Sequence, residues 1–139
     1  MTAIATLPAR TERSSGVWTA VGVATLAAAA ATEALVALAK TVGITVAIQG
    51  EELKAGGCAV VVLMCMVAGV ALLAGLRRWA ASPARTWTRA TVALTALSFV
   101  PDLVVPDTAV GSRIVLMTAH VLAAAIIVPA VARRLPTTR

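Results

Sequence analysis

The chain has 139 residues, 60% of them hydrophobic and only 13% charged, with a mean hydropathy of +0.93. That balance lies outside the range of soluble globular domains and places the chain in a bilayer. The length holds four spans of about 20 residues with short connections, and it excludes an added soluble catalytic domain of ordinary size. A net charge of +6 raises nucleic-acid binding, but the twelve Lys and Arg residues fall between apolar runs and no base-reading module is present. Nucleic acid is therefore not an expected partner. Basic residues in these places read as topology signals and as contacts to anionic lipids.

Residues 1–16 form an arm carrying Arg10 and Arg13, expected in the cytoplasm. The first apolar run, Val17 to Ala39, is long enough to cross a hydrocarbon core about 30 Å thick, although its many alanines make insertion weakly favourable. Arg10 and Arg13 followed by AAAAAT also resemble a signal peptide, but the apolar run continues past the alanines, so a retained signal anchor is the better reading. Residues 40–55 follow. Alternation of Val42, Ile44, Val46 and Ile48 favours a short extended or interfacial piece, with a helix leaving the membrane as the competing reading.

The second span, 56–76, is uncharged throughout and the most apolar. Arg77-Arg78-Trp79 ends it, and a short connection leads to a third span over 86–105, the most polar, carrying Pro101 and Asp102 near its end. Pro106, Asp107 and Gly111 mark a tight turn before the fourth span, 112–132, which closes on Arg133-Arg134. The fold class expected is an all-α integral-membrane four-helix bundle over residues 17–135, followed by a tail over 136–139. Arg10, Arg13, Arg77, Arg78, Arg85, Arg89, Arg133, Arg134 and Arg139 share one side, against Lys40, Lys54 and Arg113 on the other. The first group belongs in the cytoplasm, with both termini, which makes this a multi-pass protein of the inner (plasma) membrane. Trp18, Trp79 and Trp87 are then expected together at the cytoplasmic interface.

The segment RTWTRATVALTALSFVPDL and the fourth helix LMTAHVLAAAIIVPAVARRL resemble a family of uncharacterised actinobacterial four-helix integral membrane proteins. The resemblance is strongest over residues 85–135 and implies the architecture and a high-GC actinobacterial source, with no activity attached.

Glu33 is the strongest oddity, because a carboxylate inside a span costs several kcal/mol unless neutralised or paired. It lies about 10 Å from the outer end of its helix, and His120, the single histidine, lies about 12 Å from the outer end of the fourth. At that shared depth a carboxylate and an imidazole can pair, with Asp102 above them, as a ligand or proton site. The plainer alternative is a Glu hydrogen-bonded between helices, and a neutral His120 bonded to Thr32, Ser98 or a backbone carbonyl. Cys58 and Cys65 project from one face of the second helix, about 10 Å apart, too far for a disulfide or one shared metal. They read as lipid-facing or packed thiols. No metal site and no cofactor are expected, and with no phosphate loop, zinc-hydrolase helix or Ser/His/Asp set, enzymatic activity is not expected either.

Three functions are then in play. An accessory or structural membrane protein, acting as a homodimer or with a membrane partner, fits best. A proton-coupled small-molecule transporter using Glu33 comes second, and a metal or quinone redox protein, supported only by Cys, Met and His, comes last.

Overall fold

The computed structural model of the protein describes residues 10–137, with side chains over 16–137. The order of elements is α1 (Arg10–Thr41), β1 (Ala47–Ile48), β2 (Glu51–Glu52), α2 (Gly57–Trp79), α3 (Pro83–Val104) and α4 (Val110–Ala132). The four expected helices are present. The first begins earlier than the composition implies, so part of the arm is already helical.

Three of the helices are long and apolar enough to cross a membrane: Gly16–Thr41 within α1, then α2 and α4. Helix α3 falls short, because it carries Arg85, Arg89 and Asp102, and hydroxyls recur along it at Thr88, Thr91, Thr95 and Ser98. That spacing of three and four residues keeps them on one stripe of the helix. Each hydroxyl is satisfied inside its own helix, as in Thr91 Oγ1 to Trp87 O at 2.7 Å and Thr95 Oγ1 to Thr91 O at 2.9 Å. Such back-bonding leaves no unpaired donor in the helix wall.

Helix α4 packs most extensively on α1 and next on α3, α2 leans on α1, and α2 and α3 barely meet. Small residues recur along the buried face of α1, between and beside the valines Val17, Val21 and Val36 that enter the end clusters. Ala24, Ala28, Thr32 and Ala39 are buried along it, and side chains this small let backbones approach closely. Helix α2 is the opposite case, with Val60, Val61, Met64 and Val67 all exposed.

Two apolar clusters hold the ends. At the end where the described chain starts and finishes, Val17 and Val21 of α1 meet Leu73 of α2, Trp87 of α3, and Val131 and Leu135 at the end of α4. Trp87 is only 3% exposed and its Nε1–H points to Val128 O at 3.4 Å, so it is a core residue and not an interfacial anchor. Trp87 is on the inward face of the first turns of α3, where all four helices converge. Trp18 and Trp79 are exposed, as expected of anchors.

At the other end, residues 44–53 form an extended hairpin that docks over α1 and α4. Ala47 pairs with Glu52 and Ile48 with Glu51, and the turn residues Gln49 and Gly50 both have positive φ, the primed geometry that matches strand twist. Val46 is fully buried against Val36, Ala39, Val115 and Leu116. Ser112, itself fully buried, clamps the hairpin by donating to Thr45 O at 3.1 Å and accepting from Ala47 N at 3.2 Å. The extended form expected from the alternation is present from Ile44 on, where Ile44 and Val46 enter the cluster, whereas Val42 lies in the turn after α1 and Ile48 is exposed.

Candidate functional site

Helix α2 opens with Gly56-Gly57-Cys58, so it has no Ser, Thr, Asp or Asn at its start to satisfy the free amides of the first turn. Glu33 of α1 does so from outside. Its Oε1 accepts from Ala59 N at 2.8 Å and its Oε2 from Gly56 N at 3.2 Å. The Gly57 amide turns back to Lys54 O at 2.9 Å, and Val60 N begins the helical ladder to Gly56 O at 3.0 Å. Both oxygens of the carboxylate are therefore occupied by the end of a neighbouring helix, where the positive end of the helix dipole favours negative charge. Gly57 permits the hairpin to enter this closely: a Cβ there would lie 2.8 Å from Leu53 Cδ1.

The start of α2 is consequently level with Glu33, about 12 Å short of the end of α1 at 1.5 Å per residue. The docked hairpin occupies that remaining depth. Cys58 is buried there, against the hairpin cluster, while Cys65 further along α2 is exposed. The two thiols, expected to share one environment, are separated because α2 is covered at its first turn and again around Leu73, while the stretch that carries Cys65 lies open between them.

A second polar contact joins α3 to α4. His120 Nδ1 and Asp102 Oδ2 are 3.1 Å apart, with side-chain exposures of 35% and 12%. The pair is within ion-pair range but lacks in-line hydrogen-bond geometry, and neither of these enclosed atoms has another polar partner among the described residues. Phe99 sets its ring edge-on to the imidazole at 6.4 Å. Asp102 and His120 are not level along the helices, since Arg113, two turns nearer the start of α4, already reaches Leu103 O. Side chains tilt toward their own helix N-terminus, so in this antiparallel pair the two lean toward each other and close the gap.

Arg113 is the residue that charge counting hid. Its guanidinium donates to Leu103 O at 2.9 Å, Val105 O at 3.1 Å and Thr108 O at 3.1 Å, capping the carbonyl end of α3. A lone Arg one turn into a helix after a Pro-Asp turn was the available signal. Glu33 makes no hydrogen bond or ion pair with His120 or Asp102 among the described residues; the structure brings Asp102 and His120 together and gives Glu33 to α2. Thr32, considered as a partner for His120, instead bonds to Ala28 O and Ala29 O of its own helix, and Ser98 to Thr95 O. No group of three or more His, Cys, Asp or Glu that could hold a metal occurs among the described residues.

These contacts are those of a small helical protein with membrane-length apolar helices, whose few polar groups tie one helix to the next. The chain belongs to a family of unknown function, DUF6069, whose profile matches residues 12–137. No curated protein and no solved structure matches it.

Proposed function

We propose that the protein is a multi-pass inner-membrane scaffold or accessory protein, with all four helices in the bilayer and both termini cytoplasmic. Its polar residues position helices and do not turn over a substrate. The occupation of Glu33 supports this most directly: the one carboxylate deep in the apolar first helix has both oxygens committed to backbone amides of α2. Helix α3, too polar to qualify as a span by composition, enters the bilayer in this reading with its hydroxyls self-satisfied and its Asp held by His120. Partners are a second copy or another membrane protein, and the basic end meets anionic lipid.

The proton-coupled transporter reading needs Glu33 to exchange protons for ligand, which would uncap α2 in every cycle. The two readings separate in one experiment. The scaffold reading expects Glu33→Gln to lower thermal stability in mild detergent and to leave vesicle pH unaffected. Loss of a ligand-driven proton flux in proteoliposomes on Glu33→Gln would reverse the choice.

A further inference from the structure

The basic end carries an arrangement that topology alone does not require. Arg77, Arg78, Arg85, Arg89, Arg133 and Arg134 all stand at this end, and every carboxylate with a described side chain (Glu33, Glu51, Glu52, Asp102, Asp107) stands toward the other. Two of the guanidiniums rest on indoles: Arg77 lies 5.6 Å from the centroid of the Trp18 ring, and Arg78 5.9 Å from that of Trp79. Both separations are near the outer limit of about 6 Å for a cation–π contact, so the stacks are loose. The described chain end closes back here, with Ala84 N donating to Pro136 O at 3.2 Å, and Arg134 Nη1 stands 3.8 Å from the position of a Cβ on Gly16.

We propose that this end is an anionic-phospholipid site, in which headgroup phosphates sit against Arg77 and Arg78 beside the indoles of Trp18 and Trp79. It rests on the membrane reading above. Two features select a lipid over a soluble anion. The uncovered apolar face of α2, with Val60, Met64 and Val67, runs along the same helix that ends at Arg78 and Trp79. Trp79 is 78% exposed at that boundary, the position an amphipathic indole takes between hydrocarbon and headgroup. An amphiphile with acyl chains along α2 and a phosphate at its end matches both halves. Guanidinium, with five donors in a planar fork, binds phosphate through two parallel charge-assisted hydrogen bonds, and an indole beside it responds to that binding.

The indoles report the event themselves. The full chain in neutral detergent is titrated with short-chain phosphatidylglycerol, with phosphatidylcholine of the same chain length, and with inorganic phosphate, following tryptophan emission and the melting temperature. Phosphatidylglycerol should change the emission and raise the melting temperature at concentrations about tenfold below phosphatidylcholine, and inorganic phosphate should do neither. In R77Q/R78Q the half-saturating concentration should rise about fivefold for each guanidinium removed, with helicity by circular dichroism unchanged. Equal responses to the two lipids, a full response to inorganic phosphate, or an unaltered preference in R77Q/R78Q would each overturn the proposal. Should that variant not fold, the wild-type preference in rising sodium chloride decides: it should fall with salt, and a salt-independent preference is contrary. Carbonate washing of phosphatidylcholine vesicles keeps the two layers apart. A chain washed off defeats the membrane reading, whereas a retained chain without lipid preference defeats only this site.

Discussion

Glu33 and Asp102 are both carboxylates within long helices, and the protein treats them differently. Glu33 accepts two well-formed backbone hydrogen bonds from the start of α2, and its role is complete within the chain. Asp102 meets one imidazole nitrogen at ion-pair distance, off the line of a hydrogen bond, and His120 keeps about a third of its side-chain surface open. The first is a fixed cap, and the second a looser tie between a polar helix and its neighbour. The difference teaches that depth along a helix does not decide which groups pair; the unsatisfied backbone ends nearby do.

Glu33→Ala should have the largest effect on this contrast. It leaves the amides of Gly56 and Ala59 without acceptors, and a loss of about 2–3 kcal/mol is expected in detergent unfolding, with Glu33→Gln roughly half as costly. Next comes Asp102→Ala, at about 1–2 kcal/mol, because it strands an enclosed imidazole nitrogen. A double-mutant cycle sharpens the point. Asp102→Ala and His120→Ala should couple by at least about 0.5 kcal/mol, and Glu33→Ala with His120→Ala should add to within about that figure. Strong coupling in the second cycle would restore the Glu33–His120 pair that depth alone suggested.

Smaller effects test the hairpin. Ser112→Ala removes both hydrogen bonds that clamp residues 45 and 47, for about 1 kcal/mol, and should speed amide exchange over 44–53 before the helices respond. Lys40→Ala breaks the 2.7 Å ion pair with Glu52, but both side chains are exposed, and a change within about 0.5 kcal/mol is expected.

Much of the fold was legible in the residues. Apolar runs and basic boundaries located all four helices, and alternation over Val42 to Ile48 pointed to the extended hairpin. Trp87 misled, because a Trp near a basic boundary is as compatible with the core as with the interface, and only the convergence of four helices decides. The polar contacts were half legible. Glu33, Asp102 and His120 stood out by cost alone, yet their partners depended on features with no side-chain signature: a glycine start to α2 that lacks a cap, and the opposed tilt of side chains on antiparallel helices. The missing cap was nevertheless readable as Gly56-Gly57, and a Glu on the preceding helix is the natural acceptor for the amides that such a start leaves free. Arg113 was discounted because it was counted as one loop charge, whereas its geometry makes it the terminator of α3.

The central claim is that Glu33 is the cap of α2, and amide hydrogen exchange at Gly56 and Ala59 tests it most directly. In the wild type both amides should be protected relative to the exposed hairpin turn at Gln49 and Gly50, and in Glu33→Ala that protection should collapse at those two positions while the middle of α2 stays protected. Equal protection of Gly56 and Ala59 in the wild type and in Glu33→Ala would contradict it.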